Sequence, residues 1–224
     1  EISFLLSFPN VEELNLSDMM ITNDDMVMVC YQTGLRKLNL ANCSNLRDDG
    51  IKLLAACKKL EELVLDDTAI TDAALMVLLE TLSNLRSLSI KDCSKLKLFM
   101  IRKTKYFTLG EDSDSEEDQD DDPFGQSIPN LPLLEELFLD GVYVTDEGIK
   151  LLKMLPNLKF VSAVDCQELS QEGVSEFKKA NPNVEVLFVS TNGGSDSENS
   201  LSDSESETLF RAVMGRLGGL SDSE

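Results

Sequence analysis

Apolar residues in this chain fall in short bursts that recur at nearly constant intervals. The burst LRKLNLANCSNLRDDGI at 35–51 has the skeleton L-x-x-L-x-L-x-x-C-x-x-L-x-D-x-G-I. It returns in LEELVLDDTAITDAAL (60–75), LRSLSIKDCSKL (85–96), LEELFLDGVYVTDEGI (134–149) and LKFVSAVDCQELSQEGV (158–174). A looser copy, VEELNLSDMMITNDDM, starts at Val11, and a last strand-like piece, VEVLFV, starts at Val184. The starts 11, 35, 60, 85, 134, 158 and 184 are 24, 25, 25, 49, 24 and 26 residues apart. The 49-residue interval reads as one repeat with an insertion, because no L-x-x-L-x-L occurs within 97–133.

L-x-L at period two predicts a short strand with its leucines turned inward. The residues after it, such as DDGIKLLAACKK, carry apolar side chains at helical spacing (Ile51, Leu54, Ala55). Asp48 or Asp49 is placed to accept hydrogen bonds from the free amides that open that helix. One such unit cannot bury its own apolar face, and stacked neighbours can. The expected fold is therefore an α/β leucine-rich-repeat solenoid of about seven parallel strands, with helices on its convex side. At about 4.8 Å per strand, seven strands span roughly 30 Å. ISFLLSFPNV (2–11) aligns without gaps on IKLLKMLPNL (149–158), so the chain opens on the outer helix of a repeat. Either that helix is an N-terminal cap, or the chain is a C-terminal fragment of a longer array. In the second case Ile2, Phe4, Leu5 and Phe8 leave an apolar edge exposed.

The positions between the inward leucines face the concave side, and they differ from repeat to repeat. Before the second apolar position stand Glu13, Lys37, Glu62, Ser87, Glu136, Phe160 and Val186; after it stand Asn15, Asn39, Val64, Ser89, Phe138, Ser162 and Phe188. The next outward position holds Ser17, Ala41, Asp66, Lys91, Asp140, Val164 and Ser190. This frame gathers Phe138, Phe160, Phe188, Val164 and Val186 on the last three strands. Aromatic clusters of that kind mark a partner site. Glu13, Glu62, Asp66, Glu136 and Asp140 favour a client with basic residues. The chain's own tail is the competing occupant. In TLFRAVMGRLGG (208–219), Leu209, Phe210, Val213, Met214 and Leu217 fall on one helical face, which predicts a short amphipathic helix at 207–217.

Charge sharpens the division into parts. The chain has 20 Lys+Arg against 41 Asp+Glu, a formal net charge of −21. Residues 111–122 (EDSDSEEDQDDD) hold nine acids, and 195–224 carry a net −5, so the rest carries only −7. We expect a solenoid over 1–190 with a disordered acidic insert at about 108–128. A disordered acidic tail is expected over 191–224. Just upstream of the insert, Lys95, Lys97, Arg102, Lys103 and Lys105 form a basic stretch. Ser113, Ser115, Ser195, Ser200, Ser202, Ser204 and Ser221 each have an acid three residues later, the context of acid-directed serine kinases.

Several chemistries drop out. A surface this acidic does not bind nucleic acid by neutralising phosphates. With no histidine there is no Ser-His-Asp triad, no Cys-His pair and no imidazole for a metal. No calcium loop or Walker pattern occurs, so no catalytic residue, cofactor or metal is assigned. No run is long enough to predict a membrane span. Five cysteines (30, 43, 57, 93, 166) contain no C-x-x-C, which fits a reducing compartment, cytoplasm or nucleus. Cys43 and Cys93 sit two strand spacings apart, too far to bridge. All five are expected to be packing groups.

The combination of L-x-x-L-x-L with C-x-x-L-x-D-x-G-[IV] resembles the cysteine-containing class of leucine-rich repeats. Cys43 through Ile51 match it well, Cys166 through Val174 match with Gln171 where an acid is usual, and Cys93 through Leu96 match the first half. Thr68 and Val142 replace the cysteine in the other two. The class is typical of F-box/leucine-rich-repeat proteins, the substrate receptors of cullin-RING (SCF) ubiquitin ligases. The resemblance covers about 1–190 and implies a ribonuclease-inhibitor-like solenoid. It also implies a non-enzymatic role in which the concave face recruits a protein client. Contact with a ligase adaptor and cullin would lie in an F-box segment absent from these residues. The alternatives are an acidic leucine-rich-repeat regulator, either a histone-binding chaperone or a GTPase-regulating scaffold, or a simple assembly scaffold.

Overall fold

The computed structural model describes residues 2–8, 10–97 and 131–190, all within Glu1–Ser190. The strands are β1 (Glu13–Asn15), β2 (Lys37–Asn39), β3 (Glu62–Val64), β4 (Ser87–Ser89), β5 (Glu136–Phe138), β6 (Phe160–Val164) and β7 (Glu185–Val189). They pair in chain order, all parallel, in one seven-stranded sheet. The helices α1 (Met26–Cys30), α2 (Asp48–Lys52), α3 (Asp72–Thr81), α4 (Asp146–Lys150) and α5 (Gln171–Ala180) follow β1, β2, β3, β5 and β6. Short 3₁₀ turns at Leu53–Ala56 and Leu151–Met154 prolong α2 and α4. This is the α/β leucine-rich-repeat solenoid that the period predicts. β4 pairs directly with β5, Ser87 opposite Glu136, so no strand stands between them in the sheet.

The core is a stack of like residues. Leu38, Leu63, Leu88, Leu137 and Val161 lie opposite one another in register, and all are buried. Leu40, Leu65, Ile90 and Leu139 form a second buried row. Each inward leucine contributes about 1.5–3 kcal/mol of transfer free energy only when a neighbouring repeat covers it.

A turn motif unannounced by the apolar pattern closes each of β1 to β6. Asp18, Asn42, Asp67, Asp92, Gly141 and Asp165 have φ between +50° and +69°. Asn, Asp and Gly tolerate this left-handed region best. The amide of each then donates to the next repeat, from Asp18 to the Ala41 carbonyl at 2.9 Å through Asp165 to the Val189 carbonyl at 2.8 Å. The inter-repeat ladder thus continues beyond the strands. Just past it, Cys43, Cys93 and Cys166 donate their thiols backward to the carbonyls of Leu16, Leu65 and Leu139 at 3.1–3.2 Å. These cysteines are buried, as expected, and each ties its repeat to the one before.

The acid of the D-x-G element plays a different part from the one expected. Asp48 does not cap α2, whose N-cap Arg47 makes no side-chain cap hydrogen bond. It accepts instead from Thr71 of the next repeat, from its amide at 2.9 Å and its hydroxyl at 2.5 Å. Asp146 accepts from the amide and hydroxyl of Ser170 in the same way. In α4 and α5 the residue just before the helix is the cap: Thr145 accepts from the Gly148 amide and Ser170 from the Gly173 amide. The physical reason is geometric. The acid is the first residue of the helix, so its carboxylate points sideways along the array and reaches the neighbour's cap. The glycine two residues later makes room for the preceding clamp. A Cβ on Gly50 would lie 2.9 Å from the Cα of Asn23, and one on Gly173 would meet the Asp146 carboxylate.

Two further expectations are corrected. In β7 the register places Glu185 opposite Phe160, Val186 opposite Val161 and Phe188 opposite Ala163. Val186 and Phe188 therefore lie on the core side, and the concave residues of β7 are Glu185, Leu187 and Val189. VEVLFV is apolar at adjacent positions, so period two fits it in either phase, and a one-residue slip exchanges the faces. At the other end, the first residues form a 3₁₀ turn, Ser3–Ser7, that buries Ile2 and Leu5 rather than exposing them. Gln32 of the next repeat holds this turn by donating to the Leu5 carbonyl at 3.1 Å. Phe4 and Phe8 remain more than half exposed, as expected.

Replacing Asp48 by Ala should cost about 1–3 kcal/mol, because two hydrogen bonds to a charged acceptor are lost. Asp49→Ala, at an exposed position one residue on, should stay within about 0.5 kcal/mol. Gly50→Ala should cost about 1–3 kcal/mol by forcing the Asn23 backbone away. Urea unfolding midpoints of the three variants test the ranking.

Candidate protein-binding face

Three rows of side chains stand on the concave side of the sheet. The first row runs Glu13, Lys37, Glu62, Ser87, Glu136, Phe160 and Glu185. Parallel register puts each side chain beside its counterpart in the next repeat, so alternating charges become ion pairs. Lys37 Nζ lies 3.4 Å from Glu13 and 3.2 Å from Glu62. The hydrogen bond to Glu62 raises the Lys37 ammonium above its ordinary value, with Glu13 adding to it. Ser87 Oγ lies 3.4 Å from Glu136 Oε2.

The third row is built inward. Asp66 accepts from the Ser89 hydroxyl and, at 2.9 Å, from the Lys91 amide. Asp140 repeats this with the Ser162 hydroxyl and the Val164 amide at 2.9 Å. Lys91 then spans the two repeats, 3.3 Å from Asp140 and 5.0 Å from the centre of the Phe138 ring. Burial pushes the Asp66 carboxyl above its ordinary value, opposed by the hydrogen bonds from Ser89 and Lys91. Asp66 and Asp140 therefore serve the turn after the next strand. Glu13, Glu62 and Glu136 are the carboxylates of this set whose job is not structural in that sense.

The aromatic end differs from the sequence reading. Phe138 and Phe160 do face this side, but they are only 2% and 3% exposed. Their rings pack on each other, with centroids 5.5 Å apart and planes tilted by 53°, and Lys91 stands over Phe138. With Phe188 and Val186 turned inward, the open aromatic cluster does not form. Apolar surface at this end comes from Val164 and Leu187, both half-buried, and from Val189, 37% exposed. The tail helix, the acidic insert and Ser113, Ser115, Ser195, Ser200, Ser202, Ser204 and Ser221 lie outside the described residues.

Two features escaped the sequence reading. One is a charge ladder along the strand-entry edge, at the position after the first leucine of each repeat. Arg36 forks onto Glu61 at 2.8 and 3.1 Å, while Arg86 (2.8 Å) and Lys159 (2.5 Å) share Glu135. Lys159, and then Arg86, hold the Glu135 carboxyl below its ordinary value. Its signal was the sign alternation Arg36, Glu61, Arg86, Glu135, Lys159 at constant offset. The other is the approach of Cys30 to Cys57, whose sulfurs are 3.8 Å apart. Nothing in the spacing announces it. Among the described residues, no group of three or more His, Cys, Asp or Glu side chains is placed to hold a metal ion. No described helix is long and apolar enough to cross a membrane.

No family model matches the sequence. Among solved structures, the fold is similar to a chain in the crystal structure of the Rad7 and Elc1 complex in yeast. The TM-score is 0.53 at 17% identity, over 84% of this chain and 46% of that one. An internalin, InlF of Listeria monocytogenes, aligns with a TM-score of 0.46 at 15% identity, over 84% of this chain and 51% of that one. The chain spans about half the length of either. At this identity the likeness to the yeast chain is one of fold.

The Asp66 carboxyl should titrate above its ordinary 3.8, and Ser89→Ala should raise it further by removing a hydrogen bond to the charged form. The folded state holds this proton more tightly than the unfolded chain. Ionisation of Asp66 therefore subtracts stability as pH rises from its unfolded through its folded value. Carboxyl chemical shifts followed by NMR against pH, in wild type and Ser89→Ala, check both statements.

Proposed function

We propose that this chain is a non-enzymatic protein-binding module whose concave face recruits a client. The role resembles that of the substrate-recruiting repeats of F-box/leucine-rich-repeat proteins in SCF ubiquitin ligases. One observation carries the reading: the contrast between adjacent rows of the same strands. The inward row is Leu38, Leu63, Leu88, Leu137, Val161, nearly uniform because stacking demands it. The outward row beside it is Lys37, Glu62, Ser87, Glu136, Phe160, and packing demands no such variety. A scaffold with a nearly uniform inward row beside a varied outward row is suited to recognition.

Glu13, Glu62 and Glu136, with Lys37 among them, favour a client segment with basic residues. Val164, Leu187 and Val189 offer an apolar end. Phe138 and Phe160 support that end from beneath, and Asp66 and Asp140 hold its turns. In this role the module makes no covalent bond. It holds lysines of the client within reach of chemistry performed by other subunits, and adaptor and cullin would be reached through residues outside this chain. The solved yeast complex, in which a similar fold occurs in a complex with a partner protein, supports the general role.

Affinity purification from the native cell tests the reading. Adaptor and cullin are expected in the eluate together with a client. Histones or a Ran-type GTPase there would favour the acidic regulator instead. The charge-reversing pair Glu62→Lys and Glu136→Lys should reduce client recovery at least tenfold, with the convex variant Lys178→Glu leaving it unchanged. The reverse ranking, with circular dichroism confirming that both variants are folded, would place recognition on the other side.

A further inference from the structure

We infer that Cys30 and Cys57 form a modification site, a dithiol that a peroxide-class oxidant closes into a disulfide between two adjacent repeats. Cys30 is the last residue of α1, and Cys57 immediately follows the 3₁₀ turn that prolongs α2. Their sulfurs are 3.8 Å apart, and Cys30 Sγ also lies 3.2 Å from the Leu53 carbonyl. A disulfide has S–S of about 2.05 Å, so the two side chains together must close a gap of about 1.8 Å. Both stand where outer helices end, away from the paired strands, so closure loads a helix terminus rather than the sheet.

The surroundings select this pair. Cys30 is half-buried, and its neighbours Val27, Tyr31 and Leu53 are 43%, 66% and 39% exposed, so a small oxidant can reach it. The hydrogen bond with Cys30 draws the Cys57 thiol below its ordinary range against the opposing effect of burial, and raises Cys30. Once the pair has lost one proton, the remaining one is shared between the sulfurs, and nucleophilic thiolate is available in the pair. Cys43, Cys93 and Cys166 are the contrast. They are at most 1% exposed and hydrogen-bonded to backbone carbonyls. Burial pushes all three up, Cys166 to about 12.

The chemistry balances. The thiolate that the pair supplies attacks one peroxide oxygen and breaks the O–O bond. Hydroxide leaves, takes up the thiol proton and becomes water, and the attacking cysteine becomes a sulfenic acid. The second cysteine of the pair, deprotonated in turn, then attacks that sulfur, forming the S–S bond and expelling a second hydroxide. That hydroxide takes up the second thiol's proton. Two thiols are oxidised by two electrons in all, and one hydrogen peroxide is reduced to two waters.

The test is peroxide treatment of the fully reduced, full-length chain, read by intact mass, thiol counting and peptide mapping. Titratable thiols are expected to fall from the five of the reduced chain by two. The mass should drop by two hydrogens, and one crosslinked peptide should join Cys30 to Cys57 and be released by dithiothreitol. Closure should raise the thermal midpoint by roughly 5 °C. Cys30→Ser and Cys57→Ser should each abolish the crosslink without creating another. Retention of all five thiols under conditions that oxidise free glutathione would overturn the proposal. So would oxygen addition at Cys30 with no crosslink, or a crosslink that uses Cys43, Cys93 or Cys166. The map of the wild-type chain decides the question even if a serine variant fails to fold.

Discussion

Every part of this structure depends on the hydrogen-bonded stacking of one repeat on the next. A strand of three residues has too few backbone groups and too little side-chain area to hold itself. Its amides find their acceptors in the neighbouring repeat, beginning at the strand entry, where the Arg36 and Lys37 amides share the Glu12 carbonyl. They continue past the strand end through the left-handed Asp, Asn or Gly. The cysteine thiol points backward along the array and the helix-opening acid points forward. Each repeat is thus held from both sides by groups that reach into its neighbours. The same dependence explains why the leucine rows are uniform: a stacked side chain must match the one below it.

The fold was legible because stacking imposes a period on the sequence. The repeat length, the strand positions, the parallel order and the direct meeting of β4 with β5 follow from where the leucines fall. The failures have physical reasons as definite as the successes. Val184 to Val189 is apolar at adjacent positions, so its own pattern carries no phase, and the register comes only from pairing with β6. Asp48 sits where a capping residue is expected, and only the three-dimensional direction of its carboxylate assigns it to the neighbour. Cys30 and Cys57 are brought together by the way two outer turns pack, which no periodicity encodes.

On the concave face, residues that look alike in the sequence divide by environment. Asp66 and Asp140 are committed to hydroxyls and amides of the following repeat. Glu13, Glu62 and Glu136 project from the same side without such a commitment. Phe138 and Phe160 face the concave side and yet are covered. Exposure and hydrogen bonding, which the linear sequence does not display, separate residues that build the face from those it presents. The likeness in fold to the yeast chain adds the scaffold and nothing about those displayed positions.

The direct pairing of β4 with β5 has a consequence for how this architecture can grow. The connection there spans 49 residues from leucine to leucine where its neighbours use 24 or 25. The entropy of closing a connection rises only logarithmically with its length, about 0.6 kcal/mol for each doubling. That is less than a single cross-strand hydrogen bond can contribute. The ladder is therefore nearly indifferent to what is spliced into its outer turns. New length, new charge or new modification sites can be acquired at such a seam without retuning a single core leucine. A solenoid of this kind can carry an appendage at one seam while the register of its sheet stays the same on either side.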